Sequence, residues 1–410
     1  MTYYLDDPRA ILTTSTSDPY GINSTRSKRE VWDKIFLLDA QNTALLTLTR
    51  NTRRKPTSTI KFEWFEDIFP AQYTTCASDD STTTDTSITV ATNTGAYGRE
   101  GDLWLNGDNG EVIYIASVST DTWTVVRGVG STTAADWDSG DALYYIGNAQ
   151  DQGDTARPKL TTQTTALYNY AQLQEEGYEV TNDAKVQALY GGNDLVYLRQ
   201  KHGTIHNRDL ERMLWFGVRG SMVHGTSSNI TYETFYSKGV IADGTNGFLS
   251  TNSSTTNSSG EYTEDEFDTD LITAFRYGNG VKTAFCAPAA LSVISGWGRD
   301  KLQMFPRDKT YGINITRFIS PHGELNLINN KLFGDFSGAG TTWGAGLDYA
   351  HCIVILDLEN VWYRPFRDTE LQMNIQGNDE DTTQEQYITR AGLELHNEQT
   401  CMDIYGVRVS

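Results

Sequence analysis

The stretch DLVYLRQKHGTIHNRDLERMLWFG, residues 194–217, contains the longest helical pattern in the chain. Its apolar residues recur every three or four positions, which is the spacing of one helix face. Asn193 or Asp194 is a suitable N-cap and Gly217 a suitable end, so we predict a helix of about 24 residues, roughly 36 Å long. Gly203 costs about 1 kcal/mol relative to Ala inside a helix, and we expect a bend there.

Upstream of this helix, residues 76–147 differ in composition from the rest of the chain. They are rich in Thr, Asp and Gly and contain short alternating runs, such as Val112–Val118, separated by turn residues such as Asn109-Gly110. This pattern predicts a small antiparallel β domain of about five strands. Polar residues flank it on both sides, which is typical of an inserted domain.

The N-terminal quarter contains an arm, a basic turn and an acidic-aromatic strand. Residues 1–29 show no helix or strand period, so we predict an extended arm. Residues 30–49 are expected to form a short helix leading into an apolar strand. A basic turn, Arg50–Lys55, then precedes the alternating strand FEWFED at Phe62–Asp67.

The C-terminal half mixes helical and strand patterns. Pro288 can occupy the first position of a helix that continues to Ile294. The patterns of Ile313/Ile315 and Leu325/Leu327 predict a hairpin. Further strands are predicted at Cys352–Leu356, Tyr387–Leu395 and Met402–Val409.

Charge and composition exclude several classes of protein. Thirty-three basic and 53 acidic residues give a net charge of −20, which is the opposite of a nucleic-acid-binding footprint. Aromatic residues make up 11% of the chain, which favours a folded protein over a disordered one.

The sequence shows no signal-peptide pattern and no membrane-length apolar run, so we expect a soluble, unexported protein. Four scattered cysteines are expected to be reduced packing residues: Cys76, Cys286, Cys352 and Cys401.

Motifs for nucleotide or hydrolytic chemistry do not occur. The sequence contains no phosphate loop, no GxSxG or HExxH motif, and no GxGxxG between a strand and a helix. His202 and His206 are four residues apart and could share a metal, but no third ligand is near in the sequence. Residues 106–110 imitate half of a calcium loop and are better explained as a hairpin turn.

The acidic-aromatic strand permits two interpretations. Its carboxylates, Glu63, Glu66 and Asp67, could act as a pair beside Trp64 in a sugar-cleaving site. Alternatively, they form an exposed acidic face that meets basic groups of a neighbouring subunit. The second interpretation is favoured, with these basic groups as candidates: Arg50, Arg53, Arg54 and Lys55.

The order of parts in the chain resembles the major capsid protein of tailed bacteriophages, which has the Hong Kong 97 fold. An arm, an acidic-aromatic strand, a β insertion, a long charged helix and a mixed α+β lobe follow one another as in that family. The segments that carry the resemblance are residues 62–67, 101–128, 198–200, 208–211, 214–217, 275–278, 374–379 and 389–395.

The resemblance implies an α+β Hong Kong 97-like capsid fold with an N-terminal arm, extended loop, spine helix, peripheral and axial domains, and an inserted small antiparallel β domain. The implied segments are an arm at 1–44, an extended loop at 45–75 and 148–185, an inserted β domain at 76–147, a spine helix of the peripheral domain at 186–220, a mainly axial domain at 221–345, and closing peripheral strands at 346–410.

The resemblance also implies a function in assembly. Copies of the chain would form hexamers and pentamers in the icosahedral head shell around a double-stranded DNA genome, without sequence-specific DNA binding or membrane contact. Portal, scaffold and decoration or cement proteins would be partners, and assembly would occur in the host bacterial cytoplasm before the protein resides in the virion. No catalytic residue, cofactor or metal is implied. The candidate subunit-contact residues are Arg53, Arg54, Glu63, Trp64, Glu66, Asp67, Arg208, Asp209 and Arg212.

Two other classes of function remain open from the residues alone. A tail-fibre or adhesin-type binding protein would fit the Thr-rich β content. Such proteins are expected to contain an internal repeat, and none is found in this sequence. A carbohydrate-active enzyme would fit the aromatic content but needs a carboxylate pair in a cleft.

Overall fold

The computed structural model describes most of the chain as two compact units. It describes residues 43–77, 83–150, 152–153, 159–187, 194–227, 230–241, 247–254, 262–297, 309–310, 313–334 and 348–408. The first unit combines Met1–Phe62 with Tyr168–Ser410, and the second is Glu63–Leu167, which we call the β-module. Residues 1–42 of the predicted arm and the predicted cap Asn193 lie outside the described residues.

The described helices include the long one expected from the sequence. They are α1 Ala44–Thr52, α2 Asn182–Val186, α3 Asp194–Phe216, α4 Glu264–Ala274, α5 Pro288–Trp297 and α6 Lys331–Gly334. The 23-residue α3 confirms the predicted helix, and α5 begins at the predicted proline. Thr263 and Glu266 form a reciprocal capping box at the start of α4, in which each side chain accepts from the backbone N–H of the other residue.

The bend expected at Gly203 remains a prediction. The α3 helix continues through this residue. A Cβ at Gly203 would lie 3.3 Å from the hydroxyl oxygen of Tyr387, whose O–H donates to the Arg199 carbonyl at 3.0 Å. The glycine therefore provides room for a tyrosine that packs against the helix.

The strands pair into five sheets within the described residues. The strands are β1 Lys61–Glu66, β2 Tyr73–Thr75, β3 Ser87–Thr89, β4 Asp102–Asn106, β5 Val112–Ser119, β6 Thr122–Val126, β7 Ala142–Asn148, β8 Thr165–Tyr170, β9 Gln172–Thr181, β10 Gly220–Ser227, β11 Ile230–Tyr236, β12 Ser253–Ser254, β13 Val281–Cys286, β14 Lys309–Thr310, β15 Ile313–Ile319, β16 Glu324–Asn329, β17 Ile353–Leu356, β18 Val361–Met373, β19 Thr382–Leu395 and β20 Met402–Ile404.

The β-module contains a six-stranded sheet in the order β2-β7-β4-β5-β6-β3, and its neighbouring strands are antiparallel. The prediction of about five strands in residues 76–147 is confirmed, since β3 to β7 begin there. The sixth strand, β2, lies before Cys76 and pairs with β7. One face of the sheet packs on a core that includes Trp104, Trp123 and Trp137. The predicted boundaries at residues 76 and 147 remain a prediction.

A buried ion pair holds the loop that follows β6 against the module core. The Nε and Nη2 groups of Arg127 each donate to one carboxylate oxygen of Glu111 over 2.8 Å. Glu111 also accepts from the Trp137 indole N–H at 2.8 Å and from the backbone N–H groups of Gly128 and Ala135. Burial by itself would raise the pKa of Glu111, but the guanidinium and the N–H donors outweigh it and lower the pKa.

The first unit contains two larger sheets and a hairpin. A seven-stranded sheet has the order β12-β20-β17-β13-β16-β15-β14, a three-stranded sheet has the order β18-β19-β9, and β10 pairs with β11. The antiparallel pairing of β15 with β16 confirms the predicted hairpin. The strands β17, β19 and β20 lie at the three predicted C-terminal positions.

The apolar strand expected at the end of residues 30–49 is wrong, since these leucines lie in α1. Leu45, Leu46 and Leu48 are buried on this helix. The hydroxyls of Thr47 and Thr52 donate to carbonyls four residues earlier, so these threonines are compatible with a helix. The basic turn expected at 50–55 begins later than predicted, because α1 extends to Thr52.

Candidate assembly surfaces

The acidic-aromatic strand β1 alternates as the sequence predicts. Phe62 and Trp64 are buried, whereas Glu63 and Phe65 are exposed. The Trp64 indole N–H donates to the Glu66 carboxylate at 2.9 Å, so one of the predicted contact acids orients the buried indole. The strand therefore has an apolar inner side and an outer side that carries Glu63.

The segment after β1 is exposed and has mixed character. Asp67 accepts from its neighbour's N–H, that of Ile68, at 2.9 Å and from the Thr162 hydroxyl at 2.7 Å. Phe69 is 95% exposed, and Phe65 and Ile68 are also largely exposed. Carboxylates and exposed apolar side chains thus lie close together in residues 63–69, and exposed apolar side chains among polar ones are typical of interaction surfaces.

The two basic candidates, Arg53 and Arg54, have acidic partners within their own chain. Arg53 lies 3.5 Å from Glu359 and above the ring of Trp362, and Arg54 pairs with Asp368. The contact of these arginines with a neighbouring subunit remains a prediction.

The three candidates on α3 lie near its C-terminal half. Arg212 and Asp209 pair over 3.4 Å, and both side chains are exposed by nearly half. The backbone carbonyl of Asp209 accepts from the Gln174 amide, and Arg208 is partly buried. An exposed pair of this kind contributes about 0.2–0.5 kcal/mol, so it adds little to the stability of the helix.

The remaining part of α3 is attached to the β9–β19 sheet through polar side chains. Arg199 donates to both oxygens of Glu385, which also accepts from the Tyr178 hydroxyl at 2.5 Å. These hydrogen bonds from Arg199 and Tyr178, with the positive charge of Arg199, lower the pKa of Glu385 despite its burial. The helix is thus fixed to the sheet by a charge-assisted network.

The two histidines of α3 do not share a partner. His202 contacts the Glu176 carboxylate at 2.7 Å and stacks on Tyr178, whereas His206 contacts the Thr389 hydroxyl at 2.7 Å. Burial lowers the pKa of His206, which favours its neutral form. The described ranges hold no group of three His, Cys, Asp or Glu side chains that could bind a metal.

Glu211, a residue that the sequence analysis did not single out, ties α1 to α3. Its carboxylate accepts from the backbone N–H groups of Leu45 at 3.0 Å and Leu46 at 2.6 Å, and from the Trp215 indole at 2.8 Å. Burial raises its pKa to about 7, and these three donors offset only part of that effect. Only the Glu211–Trp215 spacing was visible in the sequence, since i and i+4 share a helix face.

A second missed residue, Lys282, is buried on β13. Its ammonium donates to the carbonyls of Ala274 at 2.5 Å, Tyr277 at 2.7 Å and Thr400 at 2.5 Å. Ala274 is the last residue of α4, so the cation satisfies a carbonyl at the helix C-terminus, where positive charge is favourable. Burial lowers the pKa of Lys282.

Comparison with protein families supplies the observation that decides the class of protein. The profile of the SU10 major capsid protein family matches residues 12–408, nearly the whole chain. The chain belongs to the SU10 major capsid protein family. As a member of this family it has a structural role, forms a capsid shell with copies of itself and resides in the virion. The adhesin and carbohydrate-enzyme alternatives are therefore not favoured.

Searches of other proteins add distant similarities to this capsid protein. The search of curated proteins found no significant sequence match. Solved structures similar to this chain include one from Mycobacterium phage Ogopogo, at 10% identity and a TM-score of 0.48, covering 96% of this chain and 99% of that chain. A second, from Mycobacterium phage Bobi, has 9% identity and a TM-score of 0.47, with 93% and 96% covered.

A third similar structure is the capsid of an empty GTA particle, at 9% identity and a TM-score of 0.44, covering 94% of this chain and 96% of that chain. The family assignment rests on the family match alone. None of the described helices of this capsid protein is both long and apolar enough to span a membrane.

Proposed function

We propose that this capsid protein assembles as hexamers and pentamers into the icosahedral head shell of a tailed phage, around double-stranded DNA. Each subunit would have the Hong Kong 97-like architecture that the sequence resemblance implies. The observation that carries this proposal is α3, a 23-residue helix fixed to α1 by Glu211 and to a sheet by Arg199. A rod held at several points is suited to transmit force across a subunit.

Within this proposal, the chain segments keep the functions that the resemblance implies. Residues 1–44 would be an arm and 186–220 the spine helix. The β-module would include the inserted domain at 76–147.

Assembly would occur in the host bacterial cytoplasm, with portal, scaffold and decoration or cement proteins as partners. The net charge of −20 supports a shell that encloses DNA without gripping it, since like charges repel. The shell would have no catalytic function.

Contact between neighbouring subunits would involve the acidic segment of one copy and the basic residues of the next. Arg53 and Arg54 are exposed enough to exchange partners, since their present ion pairs lie at the surface. Such surface pairs typically contribute about 0–1 kcal/mol. Exchanging them for Glu63 or Glu66 of another copy would therefore cost little, while the charges would select the correct register.

The experiment that tests this proposal reverses the acidic segment. The full chain with Glu63→Lys, Glu66→Lys and Asp67→Lys should give folded subunits by circular dichroism but no closed particles by electron microscopy. A control with the same charge change at exposed acids elsewhere, Glu100→Lys, Asp136→Lys and Glu175→Lys, should assemble. Normal shells from the first variant would show that the segment makes no essential contact.

A further inference from the structure

Among the described residues, no hydrophobic core packs against one face of the β-module sheet. Its inner face packs on the tryptophan core, as in other antiparallel sheets, but its outer face is not polar along most of its width. The outer face carries a continuous row of apolar side chains, which we call the apolar stripe: Tyr73, Leu103, Leu105, Tyr114, Val126 and Tyr144.

The pairing register places these side chains next to each other across five strands. Tyr73 lies opposite Tyr144, with ring centroids 5.4 Å apart, and Tyr144 lies opposite Leu105. Two residues along β4, Leu103 lies opposite Tyr114, which in turn lies opposite Val126. Val126 is 52% exposed, Tyr73 50% and Tyr144 44%. The stripe is thus an apolar surface available to a partner.

The charge distribution indicates what kind of partner fits. The β-module contains 16 acidic and 4 basic residues, a net charge of −12. Yet every outward register position in the described strands of this sheet holds an uncharged residue, and Ser and Thr continue the face beyond the stripe on β6 and β3. A basic partner attracted by the acidic charge would find no carboxylate here. A second acidic copy, by contrast, meets no like-charged side chain at the outward positions of the described strands.

The area of the stripe is too small for a stable complex of two isolated chains, and it suits a contact that forms within a larger assembly. Strands about 4.8 Å apart that rise about 3.3 Å per residue give the stripe an area on the order of 300 Å². Two such faces bury well under the roughly 1,200 Å² of a stable isolated complex. Within a shell, many other contacts hold the copies together and supply the effective concentration that a weak contact needs.

We propose that the outer face of the β-module sheet packs against the same face of another copy in the assembled shell. The contact is isologous, so each stripe meets an identical stripe as two stacked sheets. This inference rests on the proposed function, because the contact requires shells. A cement protein on the same face is the competing outcome.

Single cysteines on the face test the contact in full-length protein. The four native cysteines are buried, so labelling of the wild type gives the background. In Tyr144→Cys and Val126→Cys the new thiol should react with a maleimide in unassembled subunits and about tenfold or more slowly in shells. The control Thr92→Cys, on an exposed turn outside the sheet, should react at similar rates in both states.

A cross-linking step identifies what covers the face. A bis-maleimide long enough to span the stripe should produce covalent dimers from shells of Tyr144→Cys or Val126→Cys, and none from Thr92→Cys. Thiols that stay reactive in shells overturn the inference, and so do protected thiols that give no dimers, since another surface or a cement protein then covers the face. Failure of the wild type to form any shell overturns the proposed function as well.

Discussion

Two buried glutamates, Glu111 in the β-module and Glu211 in the first unit, have opposite electrostatic environments. Both accept backbone N–H and tryptophan N–H donors. Only Glu111 has a cation, because Arg127 contacts both of its oxygens. As a result, the pKa of Glu111 is lowered whereas the pKa of Glu211 is raised to about 7. At Glu211 the three N–H donors do not offset burial, whereas at Glu111 the guanidinium together with the N–H donors does.

The largest expected effect is the loss of the cation in the β-module. Arg127→Ala would leave the Glu111 charge buried without its partner, which costs about 3–5 kcal/mol. Hydrogen exchange should show lost protection throughout β4–β7, while α3 in the first unit stays protected. The exposed counterpart Arg212→Ala should leave exchange in both units unchanged. If Arg127→Ala costs less than about 1 kcal/mol, solvent must reach the pair, and the contrast between the two glutamates fails.

A smaller effect, about 3 kcal/mol at most, is expected from the titration of Glu211. Its pKa is 4.5 in the reference state and about 7 in the folded chain. Between these values the folded state holds a proton that the unfolded chain has lost. The stabilisation is therefore full below pH 4.5, declines as the pH rises and is absent above about pH 7. Glu111, with a lowered pKa, contributes in the opposite direction, since its stabilisation is lost on acidification.

Denaturant unfolding of wild type and Glu211→Gln at pH 5 and pH 7.5 measures this titration. The free energy of unfolding of the wild type, relative to that of the variant, should fall by about 2 kcal/mol from pH 5 to pH 7.5. Glu111→Gln serves as the matched comparison, and its pH dependence should not show that decrease. If the free energy of unfolding changes equally with pH in the wild type and in Glu211→Gln, the pKa of Glu211 lies near its ordinary value.

The smallest expected effect concerns the exposed pair on α3. Asp209→Ala removes the contact with Arg212 and should cost about 0.2–0.5 kcal/mol, because solvent screens the pair. Thermal unfolding should change little, and the yield of particles should equal that of wild type. If the free energy of unfolding falls by more than about 1 kcal/mol, this exposed pair stabilises the protein as strongly as a buried network does.

The sequence predicted elements whose signals are local. The α3 periodicity, the proline that begins α5 and the β15–β16 alternation lie within single segments, so each could be recognised without the rest of the chain. The order of these elements also carried the resemblance to capsid proteins, and hence the class of function. The alternation of buried and exposed residues in β1 was likewise visible in residues 62–67.

The missed features depend on distant residues. The helix α1 begins where Glu211, 165 residues beyond Leu46, accepts its first N–H groups, so its apolar run could equally have been a strand. The pairing of Tyr73 with Tyr144 adds a strand that no local pattern marks. At the candidate contact residues, the intrachain partners Glu359 and Asp368 lie some 300 residues away from the arginines in sequence. Distances of this kind follow from the fold and not from spacing.

Electron microscopy of the purified full-length chain tests the central claim, that this protein is a shell-forming subunit built around α3. Wild type should form closed particles, whereas Ile205→Pro should form none. Proline there removes a hydrogen bond and clashes with the preceding turn, at a cost of about 3 kcal/mol or more in the middle of the helix. Single particles or fibres from the wild type, or equal yields of closed particles from both proteins, would contradict the account.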